Sequence, residues 1–353
     1  EQYDYLVIRC LRQDRKCGGA ADRLKPLPYF ILAAHRLKRL LFFFWERPTR
    51  LEEFLLPPEG GLNWTWPPHP MVGAGKAYRF QLIPIYTMDH LDYLIGYNPG
   101  RVITEHDFST VKVGKVASVL VQSHFHGMPE YNKLRTNNET EVSYDQVFRD
   151  CWHAVFAPAP PIQQRIDERM RRFHLQLDQY HAVHIRSSYH TNAKDRDVEG
   201  LAKNAVNCLF KYLTQQRQIP LSADTPVYVA ADTRMAARSA VNHAIDRGLK
   251  NACTSVPLNA TADEDQQDAT LHLDRGTKLA ARQPRLWTAH DKSRYYDTFV
   301  DMYILAQARC ITMNVGNYGK WANLLSNDYT CEYSHMKDKK CQWPDEARLV
   351  VGW

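Results

Sequence analysis

Several features that would decide a function class at once are missing from this chain of 353 residues. Its densest apolar run, Leu40 to Trp45, is far too short to cross a bilayer, which takes roughly 20 apolar residues in a helix. The net charge of +6 is spread without a long basic block, which argues against a nucleic-acid-binding protein and suits a small anionic ligand. No repeat of fixed period is present, so a solenoid or propeller is excluded.

Cysteine, in contrast, is present in an even number, eight. Three N-x-S/T triplets accompany the cysteines, beginning at Asn63, Asn138 and Asn259. Together they favour an oxidising, secretory compartment. Close spacing suggests that Cys10 pairs with Cys17 and Cys331 with Cys341, whereas Cys310, inside an apolar run, fits a buried free thiol.

The second half of the chain alternates between helix-like and strand-like segments. Its first helix is predicted from apolar residues at steps of three and four, at Ile162, Ile166, Met170, Phe173 and Leu177. Strand-like runs follow, in order HAVHIR, PVYVAAD, CTSVPL and CITMNV, with helix-like segments between them. The alternation predicts a mostly parallel sheet covered by helices, with ligands bound beyond the carboxyl ends of the strands.

The first half opens in the same way, with a strand-like run, a turn containing Gly18 and Gly19, a helix-like run and a second strand. A proline-rich stretch at 158–161 suggests a linker. We therefore predict an α/β protein of two doubly wound domains, residues 1–160 and 161–353, facing a cleft lined by the two glycines.

One strand end stands out because His184 and Arg186 lie two residues apart and so point to the same face. The planar guanidinium of Arg186 matches the oxygens of a diphosphate. The alternative is that Arg186 only pairs with a carboxylate at the sheet edge.

The segments resemble, in the same order, those of the GDP-fucose-dependent fucosyltransferases, both the core α1,6-fucosyltransferases and the protein O-fucosyltransferases. His184-x-Arg186 resembles their first motif, VYVAADT at 227–233 a later strand and turn, and residues 301–325 their last motif. CGGAADRL at 17–24 resembles the glycine turn of their first domain. The resemblance spans both halves and implies two Rossmann-like domains of the GT-B type.

The resemblance also implies roles for individual residues. Arg186 would hold the β-phosphate of GDP-fucose and stabilise the departing diphosphate, and Asp301 would accept hydrogen bonds from guanine. Donor contacts are further implied at Gly18, Gly19, Arg23, His184, Asp232, Gly316, Asn317 and Tyr318.

Some of these positions have an alternative role. Asp22 is the candidate general base, but an Asp before a helix is often its N-cap. Arg23 would contact phosphate or pair with Asp22. Asp232 would cap the following helix if it does not contact the donor. Trp64, in a turn-rich loop, would face an acceptor glycan or be simply exposed.

Three departures from the family pattern also matter. Ser187 stands where some relatives carry a second Arg, Ala231 replaces a usual Thr, and VGNYGK replaces a Ser-rich phosphate turn. They favour, as an alternative, a catalytically silent member that binds glycan or protein.

The predicted function is inverting transfer of fucose from GDP-fucose to a hydroxyl of a glycan or glycoprotein. No cofactor or metal is expected, because Arg186 and two helix starts would neutralise the diphosphate, and no Cys/His cluster has zinc spacing. Another nucleotide sugar is the alternative donor, which an acid at Asp301 argues against.

We expect no nucleic-acid partner. The expected location is the lumen of the Golgi or ER. Membrane attachment, as in a type II membrane protein, would use a segment outside this sequence.

Overall fold

The computed structural model describes most of the second half of the chain and separate parts of the first. The described residues are 4–10, 19–25, 27–36, 38–46, 48–65, 81–82, 116–120, 144–187, 197–257, 273, 291–314, 316–335 and 341–342. The chain divides into two compact units, one of residues 1–159 with 273–292 and one of residues 160–272 with 293–352. The predicted domain bounds, 1–160 and 161–353, stay a prediction.

The first unit is built on a parallel four-stranded sheet with the order β2-β1-β5-β4. The strands are β1 (Asp4–Cys10), β2 (Arg39–Trp45), β4 (Gln81–Leu82) and β5 (Val116–Leu120). The other elements are α1 (Ala20–Leu24), α2 (Leu27–Arg36), α3 (Tyr144–Val155), a 3-10 turn (Leu51–Glu53) and the antiparallel pair β3 (Leu55–Leu56) and β6 (Ala157–Pro158). The predicted order of strand, helix and strand is confirmed, and the glycine turn between β1 and α1, apart from Gly19, lies outside the described residues.

Aromatic rings form the core of the first unit. The ring of Phe43 lies edge-on to Trp64 at 5.5 Å and to Phe156 at 5.3 Å. Trp64 is fully buried, and its indole N–H donates to the carbonyl of Val155 at 2.6 Å. The expectation that Trp64 faces a glycan, or is exposed, is therefore wrong; its neighbour Asn63 is exposed.

The second unit is a six-stranded sheet with the order β12-β11-β10-β7-β8-β9. The strands are β7 (His181–Ile185), β8 (Val227–Ala231), β9 (Ala252–Thr254), β10 (Cys310–Met313), β11 (Glu332–His335) and β12 (Cys341–Gln342). All described pairings are parallel except that of β12 with β11. Parallel sheets in both units confirm the α/β prediction.

The helices of the second unit follow the predicted order. They are α4 (Pro160–Arg172), α5 (Val198–Lys211), α6 (Arg234–Asp246), α7 (Tyr296–Ala306) and α8 (Asn317–Leu324), with a π-turn (Tyr212–Gln216) and a 3-10 turn (Lys292–Tyr295). Every residue of β7 and β8 is buried, as expected of central strands covered on both faces. Alanines at 236, 240 and 244 lie on the buried face of α6, where small side chains allow close packing.

Two disulfides join parts of the second unit. Cys208 of α5 bonds to Cys341 of β12, and Cys310 of β10 bonds to Cys331. The suggested Cys331–Cys341 pairing is therefore wrong, and Cys310 is not a free thiol. Proximity in sequence failed as a guide because strand order, not spacing, brings these cysteines together. Cys10 is also disulfide-bonded, and its predicted partner lies outside the described residues.

Disulfides of this kind are typical of an oxidising compartment. Among the helices that the structure describes, none has both the length and the apolar character needed to cross a membrane.

Candidate functional site

The candidate site lies where the sheet of the second unit changes direction. From β7 the chain moves outward to β8 and β9, and it then returns to place β10 on the other side of β7. In parallel sheets, the carboxyl ends of the two strands at such a switch point diverge and leave a crevice for ligands. Arg186 follows β7 directly, and Asn314 follows β10 directly.

Arg186 is held by its backbone and lies over a glycine. Its N–H donates to Oδ1 of Asn314 at 2.8 Å, and its carbonyl accepts from Nδ2 of Asn314 at 3.1 Å. A Cβ atom on Gly316 would lie 3.1 Å from Nη1 and 3.2 Å from Cδ of Arg186. Two of the predicted site residues, Arg186 and Gly316, are therefore adjacent in space.

Gly316 is required at this turn for a second reason. It precedes α8 with φ 103° and ψ 163°, a conformation that side chains strongly disfavour. The glycine thus lets the chain enter α8 while leaving room for Arg186. Asn317 is the first residue of α8. The orientation of its side chain lies outside what the structure describes.

The next residue, Ser187, is fixed from the opposite side of β7. Oδ1 of Asp232 accepts from both the backbone N–H and the hydroxyl of Ser187, each at 2.7 Å. The Ser187 hydroxyl also lies 2.7 Å from that of Thr233, the N-cap of α6. The expectation that Asp232 caps this helix is wrong, because Thr233 does so and Asp232 binds the loop after β7.

His184, in β7, and Tyr318, at the start of α8, pack against each other. Their ring centroids are 5.0 Å apart, and the Tyr318 hydroxyl donates to the carbonyl of Thr298. His184 is 6% exposed, and its Nδ1 faces Gly319, where a Cβ would approach to 3.0 Å. Burial lowers the pKa of His184 to about 4, with Asp232 raising it and Arg186 lowering it. His184 is thus neutral near pH 7, and its contacts support α8.

Asp301 belongs to a buried charge network inside the second unit. Its Oδ1 accepts from Nη1 of Arg169 at 2.6 Å and from the hydroxyl of Tyr228 at 2.7 Å. Arg169 also donates to Asp297 at 2.8 Å. Asp301 is 2% exposed. These contacts join α4, α7 and β8, and they favour a structural role; recognition of guanine by Asp301 stays a prediction.

The network keeps its charges in place despite burial. Burial opposes the charge of Arg169, but Tyr228, Asp301 and Asp297 outweigh it and hold the pKa of Arg169 above its ordinary value. Burial and then the Asp301 carboxylate raise the pKa of Tyr228, so this phenol stays protonated and can donate.

The candidate residues of the first unit lie at the start of α1. Arg23 is 1% exposed, and its guanidinium carbon lies 4.7 Å from the ring centroid of Trp45. The guanidinium packs against this ring, and contact of Arg23 with phosphate stays a prediction. The carbonyl of Gly19 accepts from the Arg23 backbone, and Gly18 lies outside the described residues.

Asp22 lies inside α1, as its third residue. It therefore does not occupy the N-cap position that was its alternative role. Its side chain lies outside what the structure describes, and the role of general base stays a prediction.

No three His, Cys, Asp or Glu side chains within the described ranges come together as a metal site would require. Two Asp-x-Asp triplets occur, at 195–197 and 263–265. Asp197 caps α5 by accepting from the N–H of Gly200 at 2.7 Å, and the other aspartates of the triplets lie outside the described residues.

Sequence reasoning missed three residues that shape the site: Asn314, Gly319 and Arg169. Asn314 had a usable signal, since a polar residue directly after a buried strand lies at the ligand-binding edge of a parallel sheet. Gly319 and Arg169 had none, because their contacts are made with distant parts of the chain.

Solved structures share this architecture. NodZ α1,6-fucosyltransferase soaked with GDP-fucose aligns with 96% of this chain and 98% of its own, at a TM-score of 0.52 and 12% identity. A variant of Arabidopsis thaliana FUT1 in complex with GDP aligns with 96% of this chain and 73% of its own, at 0.54 and 12%. The chain has a fucosyltransferase fold.

The fucosyltransferase fold confirms the predicted GT-B-type architecture. NodZ co-crystallised with GDP agrees, with a TM-score of 0.50, 14% identity and coverage of 92% of this chain and 93% of its own. No protein-family model and no curated protein sequence matches the chain. At these identities the likeness concerns the fold, so the chemistry has to be argued from the residues of the site.

Proposed function

We propose that the protein is a glycosyltransferase that transfers fucose from GDP-fucose to a hydroxyl group of a glycan or protein. The observation that carries the proposal is the position of Arg186, beside Gly316 at the switch point of a parallel sheet. It is supported by the shared fold, since the similar NodZ and FUT1 structures were solved with GDP-fucose or GDP. The disulfides are compatible with the lumen of the Golgi or ER.

In this proposal the chemistry requires positive charge at the leaving group. Transfer passes through an oxocarbenium-like state while a diphosphate departs. Arg186 and the backbone N–H groups at the start of α8 would stabilise the charge that develops on the diphosphate. Attack from the opposite face would invert the anomeric carbon, with a carboxylate such as Asp22 accepting the proton of the acceptor hydroxyl.

We further propose that no metal is needed, because Arg186 provides the neutralising charge. Transfer measured with EDTA present should then equal transfer measured with added Mg²⁺ or Mn²⁺. A rate that collapses in EDTA and returns with the cation would overturn this part of the proposal.

The first test is nucleotide binding, followed by thermal or urea unfolding. GDP at a hundredfold excess over its dissociation constant should stabilise the protein by ~2.7 kcal/mol, and UDP should do far less. Arg186→Ala should remove most of this stabilisation. It should also abolish fucose transfer to the glycans of an array, measured by the mass of the products. Arg217→Ala is the matched control, because its guanidinium binds Asp328 at 2.6 Å instead.

The outcomes separate the alternatives. Full turnover in Arg186→Ala would reject the role of Arg186. Stabilisation by UDP instead of GDP would point to another nucleotide sugar as the donor. This alternative stays open because Asp301, the candidate guanine partner, already binds Arg169 and Tyr228. Binding of GDP without any release of GDP from GDP-fucose would indicate a catalytically silent member.

The residue after Arg186 favours weaker activity, and with it the silent alternative. Ser187 carries no guanidinium, and its backbone N–H and hydroxyl are both engaged by Asp232, so it supplies no second positive charge where some relatives of the resembled family carry an Arg. The diphosphate would then rely on Arg186 and α8, and a slower transfer is the expected consequence.

A further inference from the structure

We propose that Asn314 and Asp232 are positioning residues that fix the backbone carrying Arg186 from both sides of β7. The proposal rests on the proposed function, in which the Arg186 guanidinium acts on a diphosphate. Neither side chain is required to touch the ligand. Each acts through the loop after β7, and together they fix the backbone position from which the Arg186 side chain extends.

The need for such residues follows from where the sheet ends. Pairing of β7 with β10 ends at His184 opposite Met313, and pairing with β8 ends at Ile185 opposite Ala231. The backbone of Arg186 therefore lies beyond both ladders. Without other partners it would have the freedom of an ordinary loop.

On one side of β7, Asn314 replaces the missing ladder. A carboxamide has one acceptor and one donor group, as a peptide bond does. Asn314 accepts from the Arg186 N–H at 2.8 Å and donates to the Arg186 carbonyl at 3.1 Å, and it is 8% exposed. Its side chain thus acts as one more rung between β10 and β7.

On the other side, Asp232 holds the following residue. Its Oδ1 accepts two hydrogen bonds from Ser187, and the Ser187 hydroxyl also contacts Thr233 at the start of α6. Bonds to a charged acceptor are stronger than neutral ones. Arg186 is therefore held between a carboxamide rung on the β10 side and a carboxylate on the β8 side.

Fixing this backbone has a consequence for catalysis. Charge stabilisation works best when the donor is already placed where charge develops, because no reorganisation is then needed during the reaction. Displacement of a catalytic group by about 1 Å can lower a rate about a hundredfold. Loss of the Asn314 rung should therefore act mainly on kcat, with a smaller change in KM.

The central experiment compares Asn314→Ala with Asn323→Ala. Asn323 is a matched control, because it is a buried carboxamide that donates to a backbone carbonyl, that of Tyr329, at 2.7 Å. Both variants should lose thermal stability. Only Asn314→Ala should lower kcat for fucose transfer, on the order of tenfold to a hundredfold. In an Arg186→Ala background, Asn314→Ala should cause no further loss of the remaining GDP affinity.

A second measurement does not depend on the proposed function. Hydrogen exchange of the backbone amides in residues 181–187 should be faster in Asn314→Ala than in the wild type or in Asn323→Ala. Should Asn314→Ala fail to fold, Asn314→Asp serves instead. It keeps the acceptor for the Arg186 N–H and sets an oxygen against the Arg186 carbonyl, so the exchange of residues 181–187 should again increase.

The proposal is overturned if Asn314→Ala transfers fucose with the kcat of Asn323→Ala, or if exchange at 181–187 stays at the wild-type rate. A wild-type protein that neither binds GDP nor transfers fucose would instead defeat the proposed function. In that case the exchange measurement still decides whether Asn314 holds the Arg186 backbone.

Discussion

Replacement of Asp301 by Asn separates its two candidate roles. The side chain of Asp301 is 3% exposed and lies 2.6 Å from Nη1 of Arg169. An amide keeps the shape of the side chain but removes its charge. Buried Arg169 then has Asp297 as its remaining carboxylate partner in the described network, and the Asp297 side chain is 33% exposed. Breaking a buried ion pair in this way costs about 3–5 kcal/mol. We expect Asp301→Asn to lower the free energy of unfolding of the second unit by that amount.

The assay is urea unfolding, with hydrogen exchange of α7 peptides to assign the change to the second unit. Asp297→Asn is the matched control on the same helix. Because its carboxylate is more exposed, its loss should be about 1 kcal/mol or less. A loss below about 1 kcal/mol in Asp301→Asn would refute the structural role. Unchanged stability with a lost preference for GDP over UDP would establish guanine recognition in its place.

Two further predictions concern acid and the disulfides. Burial lowers the pKa of His184 to about 4, and burial with His184 lowers that of His335 to about 3, both from 6.5. The unfolded chain therefore binds more protons below pH 6.5, and the free energy of unfolding measured in urea should fall from that pH toward pH 4, by about 1.4 kcal/mol per pH unit for each histidine. Removing the Cys208–Cys341 disulfide, which spans 133 residues, should cost ~4 kcal/mol, more than removing the one that spans 21.

Both predictions have clear counter-results. A flat urea midpoint between pH 6.5 and 4, or the same slope after His184→Gln and His335→Gln, would show that these rings do not carry the acid sensitivity. A larger loss from the shorter loop would show that native strain, and not loop closure, governs the disulfides.

The sequence predicted the second unit well because its signals are local. The apolar strands and the three- and four-residue steps from Ile162 onward depend on neighbouring residues only, and they reappear as β7 to β10 and α4 to α8. The strands β11 and β12 were missed. Each has only two to four residues, and β12 is held by a disulfide to α5, which no local pattern reveals.

The site was predicted in part for the same reason. Arg186 and Gly316 could be predicted as site residues because one follows a strand and the other precedes a helix, and the order of elements along the chain places both at the ligand-binding edge. The contacts that the charged side chains make could not be predicted for Asp301, Asp232 and Arg23. A carboxylate or guanidinium at a strand or helix end can face a ligand or a neighbouring element, and only packing against distant residues such as Arg169 and Trp45 decides which.

The bond between Cys208 and Cys341 has a consequence for biosynthesis. It ties the first helix after β7 to the last described strand, so the ribosome must release nearly the whole second unit before this crosslink can form. A transcript that ends before the codon for Cys341 would yield a chain that lacks this link between α5 and β12, with the Cys208 thiol left without the partner it has here.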